Sequence, residues 1–278
     1  MYWRTKNREF DLAHRPLVMG IVNVTLDSFS DGGKCLDPRE AVVHAHRLAA
    51  EGADIIDIGG ESTRPGAEPV STDEELARVL PVIWKLESEL KCAISIDTYK
   101  AEVAEAALEA GAEIINDVGG LRDPAMAEVA AKAGAGLVIM HMKGDPQTMQ
   151  QAPEYEDLTG EIREFFRQSF ARAISCGMKP EQIAFDPGIG FGKTPAHNLS
   201  LIRHIADLRV EDRPLLLGAS RKSFLAKTSG ARDMAERLHP TLAVTALARS
   251  FGVNIFRVHD VIENVYALKI ADAILTAP

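Results

Sequence analysis

At 278 residues, 46% of them apolar and 26% charged, the chain has the balance of a globular protein and enough length to bury a full core. It has no apolar run of the ~18 residues that a bilayer span needs, so no membrane partner is expected. A net charge of −9 argues against a nucleic-acid-binding surface, although a local basic cluster can still hold a small anion.

The first ten residues lack the unbroken apolar core and small-residue cleavage site of a secretory leader, so export is not expected. Cys35, Cys92 and Cys176 are odd in number and widely spaced. They fit neither a disulfide framework nor a zinc knuckle, and agree with a reducing cytoplasm.

In chain order, short apolar runs recur at Leu17–Val22, Asp54–Ile58, Ala93–Ile96, Ile114–Ile115, Leu137–Met140, Ile183–Phe185, Leu215–Leu217 and Ile255–Val258. They are rich in Ile, Val and Leu and do not alternate with polar residues, as strands covered on both faces do. Helical patterns lie between them. Leu76, Val79, Leu80 and Ile83 form an i, i+3, i+4, i+7 stripe, and Ser71 with Glu74 and Asp260 with Glu263 have the spacing of capping boxes. Gly52, Gly111, Gly134 and Gly252 each stand just before the next strand, where glycine fits a left-handed helix terminus. The alternation predicts an α/β fold, a single closed (β/α)8 barrel (TIM barrel) over residues 1–278, in preference to an open doubly wound sheet. Residues 1–15 form an N-terminal extension, either a short hairpin or a cover for the barrel bottom.

The strand ends carry the polar residues. They are Asn23, then Glu61-Ser62-Thr63-Arg64, Asp97, Asn116-Asp117, His141, Asp186, Ser220-Arg221-Lys222-Ser223, and Arg257 with His259. Parallel barrel strands present their C-terminal ends on one face, so all eight sets are expected at one mouth. Any one Asp or Asn after a strand is more often a turn former. Turn chemistry alone, however, does not supply Arg64, Lys222, Arg257 and His259. Asp97, Asn116 and Asp186 suit the edge of a polar heterocycle, while Arg64, Arg257, His259 and Asn23 suit a phosphorylated group with Mg²⁺. A heterocycle bearing a diphosphate is the implied ligand.

Two long segments carry a family resemblance, Met19-Gly20-Ile21-Val22-Asn23-Val24-Thr25-Leu26-Asp27-Ser28-Phe29-Ser30-Asp31-Gly32-Gly33 and Gly52-Ala53-Asp54-Ile55-Ile56-Asp57-Ile58-Gly59-Gly60-Glu61-Ser62-Thr63-Arg64-Pro65-Gly66. Together with Asp97, Asn116-Asp117, His141-Met142, the run from Asp186 to Lys193, Ser220-Arg221-Lys222-Ser223 and Arg257-Val258-His259-Asp260, they resemble the motifs of dihydropteroate synthases, in the family's order. The resemblance implies a cytoplasmic, homodimeric transferase of folate synthesis. Its reaction joins (7,8-dihydropterin-6-yl)methyl diphosphate to 4-aminobenzoate, giving 7,8-dihydropteroate and diphosphate with Mg²⁺. Carried over by residue, it places Asp97, Asn116, Asp186 and Lys222 on the pterin, with Met140 and Gly218 shaping the pocket and Arg257 reaching from pterin to diphosphate. Thr63, Arg64 and His259 go to the diphosphate, Asn23 to Mg²⁺, and Phe191 and Ser223 to 4-aminobenzoate. Asp97, Lys222, Arg257 and His259 carry the catalytic roles. The loops Thr25–Lys34 and Glu61–Ser71 are expected to close over the substrates, with Phe29 and Asp31 as closing residues or Phe29 simply packed on the barrel. Leu26, Asp145 and Pro240 depart from the family pattern; Pro240 fits a first helical turn.

Three motifs lead elsewhere. Gly188 to Thr194 looks like a phosphate loop, but Pro187 stands where Walker spacing needs glycine. His44 and His46 are two apart on a helix and do not share a face. Gly218-Ala219-Ser220 lacks the second glycine of a nucleophile elbow, leaving Ser220 as a backbone or packing partner for Lys222. The competing functions are a methyltetrahydrofolate–corrinoid type methyltransferase barrel, which has no use for the anion set, and a catalytically silent barrel, which has no need of a complete one.

Overall fold

The computed structural model describes residues 1–24, 37–62, 67–144, 149 and 153–278. At its start β1 (Tyr2–Arg4) and β2 (Glu9–Asp11) pair antiparallel. Eight strands follow: β3 (Leu17–Asn23), β4 (Ile55–Gly59), β5 (Ala93–Asp97), β6 (Ile114–Asp117), β7 (Gly136–Met140), β8 (Ile183–Asp186), β9 (Leu216–Leu217) and β10 (Ile255–Val258). All pair in parallel, consecutively from β3 to β8, with β10 between β3 and β9. Between β8 and β9 the ladder shrinks to one bridge, Phe185 to Leu215, and Pro214 before it has no N–H to extend the pairing. That seam closes the expected (β/α)8 barrel.

Around the strands run α1 (Pro38–Ala50), α2 (Thr72–Glu87), α3 (Ala101–Glu109), α4 (Met126–Ala133), α5 (Leu158–Ser175), α6 (Pro195–Arg203), α7 (Ser223–Ser229), α8 (Leu238–Ser250) and α9 (Val261–Leu275). The buried face of α2 is Glu75, Val79, Val82, Ile83 and Leu86, with Leu76 and Leu80 only half-buried. The stripe is rotated from the one expected because Glu75 turns inward to bind Lys100. Ser71 caps α2 by accepting the Glu74 N–H, but the Glu74 carboxylate pairs with Arg78, so half the box forms. Asp260 corrects the second expectation. It makes no cap for α9, because Arg221 binds both its carboxylate oxygens and a charged fork outcompetes neutral N–H groups. Gly134 ends α4 in the left-handed conformation as expected, and Pro240 sits in the first turn of α8.

Apolar side chains fill two spaces. One lies between strands and helices. The other lies inside the lower barrel, where Leu17, Met19, Ile55, Ala93, Ile114, Val138, Ala184, Leu216 and Ile255 meet. The N-terminal extension resolves to both alternatives at once: the β1–β2 hairpin is the cover. Trp3 is fully buried against this lower layer and its indole N–H donates to the Gln182 carbonyl at 3.0 Å. Trp3→Ala is therefore expected to cost about 3 kcal/mol in a urea titration, the usual price of emptying a large aromatic site. A loss below about 1 kcal/mol would show that the hairpin is not part of the cooperative core.

Candidate active site

Side chains alternate along a strand, so inward-facing residues recur every second position. Counting upward from the apolar lower layer, β3 runs Met19, Ile21, Asn23 and β4 runs Ile55, Asp57, Gly59. Strand β5 runs Ala93, Ser95, Asp97, and β10 runs Ile255, Arg257, His259. The same parity puts Asn116, Met140, Asp186 and Gly218 inside. The uppermost of these residues, Ile21, Asn23, Asp97, Asn116, Met140, Asp186, Gly218, Arg257 and His259, line one cleft of about 740 Å³ at the C-terminal mouth, together with Phe191, Lys193, Lys222 and Ser223. Thr63 and Arg64 lie outside the described residues, as do Leu26, Phe29, Asp31, Asp145 and most of the two loops expected to close.

Parity also corrects the expectation that every strand end faces the mouth. Asp117 is one position out of phase, and its carboxylate accepts the N–H groups of Gly119 at 2.8 Å and Leu121 at 2.6 Å. It is a turn residue, pushed up to about 6 by burial against those bonds. His141, one past inward-facing Met140, packs edge-on against Phe165 of α5 with ring centroids 5.1 Å apart.

Arg257 stands at the centre of the cleft. Its Nε donates to Asp57 Oδ2 at 2.6 Å and its terminal nitrogen to Asp97 Oδ2, while Asn116 Nδ2 also donates to Asp57 Oδ2 at 3.1 Å. Burial works against the guanidinium, but Asp57 and Asp97 hold its pKa above the ordinary arginine value. Burial pushes Asp97 up to about 7 although Arg257 opposes it. The other oxygens, Asp57 Oδ1 and Asp97 Oδ1, and Ser95 Oγ are buried without a hydrogen-bond partner among the described residues. They are acceptors left over after the framework is satisfied.

Across the cleft, burial raises the Asp186 pKa and Lys222 counters it, while Asp186 Oδ1 accepts the Gly188 N–H at 2.7 Å. Lys222 is pulled down to about 8 by burial, donates to the Ile189 carbonyl, and sits 4.5 Å over the Phe191 ring. A Cβ at Gly218 would stand 3.7 Å from Asp186 Oδ2 and 4.0 Å from Lys222 Nζ, so glycine keeps that face open. Ser220 differs from its expected role. Its Oγ accepts the His259 N–H at 3.2 Å and pairs with His259 Nδ1 at 3.0 Å, which orients the imidazole. Next to it Arg221 adopts φ +57°, a strained conformation clamped by Asp260 and by the Thr241 hydroxyl.

A second network holds Glu61 and Val70 in place. Lys100 Nζ binds the Glu61 carboxylate, Glu75 Oε2 at 2.7 Å and the Val70 carbonyl at 2.6 Å, and the Tyr99 hydroxyl donates to Glu61 at 2.8 Å. Of the decoys, His46 pairs with Glu89 at 2.9 Å, and no group of three metal-binding side chains occurs among the described residues. In the Gly188 to Thr194 run, Thr194 caps α6 by accepting the His197 N–H at 3.1 Å.

The sequence model described as pterin binding enzyme matches residues 19–259. The dihydropteroate synthase of Synechocystis is 48% identical over 266 residues, covering 95% of this chain and 92% of that one. That of Escherichia coli K12 is 45% identical over 267 residues, covering 96% and 94%. The chain belongs to the dihydropteroate synthase family of pterin-binding transferases. Solved family structures superpose closely. The Yersinia pestis dihydropteroate synthase in a sulfonamide drug complex has a TM-score of 0.95 at 43% identity, with full coverage of both chains. The Xanthomonas albilineans enzyme in complex with 7,8-dihydropteroate has 0.89 at 39%, also over 100% of each.

Within this dihydropteroate synthase-family site, three buried groups were not singled out from sequence. Asp57 had a usable signal, an acid in an apolar strand at the inward parity. Glu75 and Lys193 had none, because their burial depends on partners distant in the chain. Gly188, with φ +67°, passes so close to the end of β7 that a Cβ would lie 1.9 Å from the His141 carbonyl oxygen. Gly188→Ala is expected to lower stability by about 2 kcal/mol or more, read from the denaturant midpoint. An unchanged midpoint would mean that the loop re-forms elsewhere.

Proposed function

We propose that the barrel mouth carries out the family reaction, joining (7,8-dihydropterin-6-yl)methyl diphosphate to 4-aminobenzoate to form 7,8-dihydropteroate and diphosphate. The observation that carries this reading is the whole-length likeness to dihydropteroate synthases, at 48% and 45% identity, combined with a cleft whose two sides suit the two halves of that substrate. A methyltransferase barrel has no use for the anion side formed by Arg257 and His259. A silent barrel has no reason to keep buried charges that cost stability.

In this reading the carboxylates of Asp97 and Asp186 accept from the amino-pyrimidine edge of the pterin, and Asn116 and Lys222 complete its hydrogen bonds. Met140 and Gly218 bound the ring, and Phe191 and Ser223 receive 4-aminobenzoate. Arg257 and His259 hold the diphosphate, with Thr63 and Arg64 joining them from the loop after β4 by the family motif. As diphosphate leaves, Arg257 and His259 stabilise its growing charge while Asp97 stabilises the cation that develops in the pterin ring. The amine then attacks the methylene carbon, and no residue forms a covalent bond to substrate. Catalysis is by preorganised electrostatics and by positioning.

The site fits Mg²⁺ of one kind. Asn23 offers a single neutral amide oxygen at the end of β3, beside Asp97 across Gly59, and a donor set so sparse suits an ion that arrives with phosphate oxygens and waters. When bound, it would neutralise charge on the departing diphosphate. A cytoplasmic homodimer completes the proposal. The support for a homodimer is an apolar row on the outer face of α9, Tyr266, Ile270 and Ile274 at i, i+4 and i+8, with Ile270 65% and Ile274 71% exposed.

The decisive assay is diphosphate release by the purified chain with Mg²⁺ and both substrates. Release that requires the amine is expected; none, or release indifferent to the amine, would sink the reading. In the same assay Lys222→Ala is expected to lower kcat/KM at least about 100-fold while shifting Tm by less than about 3 °C. A collapse in Tm would make Lys222 structural.

The titrations set a pH window. Asp97 must be ionised to accept from the pterin, so affinity falls as pH drops below its pKa of about 7. Lys222 must be protonated to donate, so affinity falls as pH rises above about 8. Pterin binding followed by fluorescence is expected to peak between those values, with Asp97→Asn flattening the acid limb. A profile flat from about pH 6 to 9 would contradict both roles.

A further inference from the structure

Lys193 is one of the residues lining the cleft, yet it is only 2% exposed, and no carboxylate is bound to it among the described residues. Its Nζ donates to the Phe191 carbonyl at 2.9 Å, to His141 Nδ1 at 3.0 Å and, more weakly, to the His141 carbonyl at 3.4 Å. Burial lowers the Lys193 pKa to about 7; when protonated, its three donors tie the loop after β8 to the end of β7, through neutral acceptors only. Burial, reinforced by the Lys193 and Lys143 charges, keeps the His141 ring neutral and able to accept.

Other contacts hold the same loop from the same side. The Tyr155 hydroxyl donates to the Gly192 carbonyl at 2.9 Å, and Gly192 passes so near Lys143 that a Cβ would meet its carbonyl oxygen at 2.3 Å. On the cleft side the Phe191 ring sits 4.5 Å from Lys222 Nζ. Phe191 is thus located between a backbone tether behind it and a substrate-facing amine in front.

A buried ammonium is a poor choice for stability, because an apolar side chain of similar volume avoids the desolvation cost. What methionine or leucine cannot do is bind two loops at once. We propose that Lys193 is a positioning residue for the arylamine half of the site: by holding the Phe191 backbone it sets the binding of 4-aminobenzoate. The proposal rests on the placement of Phe191 at the 4-aminobenzoate side made above.

The test is steady-state diphosphate release by the full chain, with each substrate varied in turn. For Lys193→Met, KM for 4-aminobenzoate is expected to rise about tenfold, while kcat and KM for the pterin diphosphate stay within about threefold. Its Tm is expected to be unchanged or higher, an outcome that a purely structural lysine would not give. Tyr155→Phe, which loosens the same loop at Gly192, is expected to raise the same KM by about threefold, and it decides the matter if Lys193→Met does not fold. An unchanged KM for 4-aminobenzoate in a folded variant, or equal rises in both KM values, overturns the proposal alone. A wild-type chain that releases no diphosphate overturns the functional reading and this proposal with it.

Discussion

Arg257 shares its guanidinium between Asp57 and Asp97 inside the barrel, and the rest of the mouth is arranged around that sharing. Asp57 is wholly buried, Asp97 is nearly so, and Asp186 lies across the same space. Like charges this close cannot all ionise without a cation among them. With Arg257 between them, Asp57 can serve as an acceptor that also orients Asn116, and Asp97 keeps one oxygen uncommitted. Even so, burial pushes Asp97 up to about 7. The geometry maintains acceptors that an ordinary surface carboxylate would have surrendered to water.

This arrangement is affordable because stability comes from a different layer. Beneath the charges, the lower interior is closed by aliphatic side chains and Trp3, and the outer core between strands and helices is mostly apolar. The upper layer gives up packing energy to hold Asp57, Ser95, Asp97 and Arg257 in fixed positions. That is the condition under which electrostatic catalysis works, since groups already oriented need no reorganisation as charge develops. The Lys100 network extends the same logic outward, fixing Glu61 and Val70 at the flanks of the loop after β4.

Much of this was legible in the sequence. The Ile- and Val-rich strands located the barrel because both faces of each are covered, and strand-end polarity located the mouth. Position alone misled where phase mattered. Asp117 and His141 follow their strands as closely as Asn116 and Met140 do, but point away from the cleft because they are one residue on. Counting by twos from Ile55 would have found Asp57. Asp260 has the spacing of a helix cap, and only the folded chain brings Arg221 near enough to claim it. Lys193 ends the family-like run from Asp186, but the run assigns it no role. Nothing local distinguishes a buried lysine from an exposed one when its acceptor, His141, lies 52 residues away.

The hairpin at the start of the chain gives the barrel a floor. The aliphatic layer inside the lower barrel already separates the buried carboxylates from the base, and the hairpin covers that layer from outside. Sealed by Trp3, the interior is a cup and not a tube, with its rim at the C-terminal strand ends. Whatever settles at the rim therefore covers the cleft through which the charges meet solvent, and the act of binding itself dries the charges beneath it.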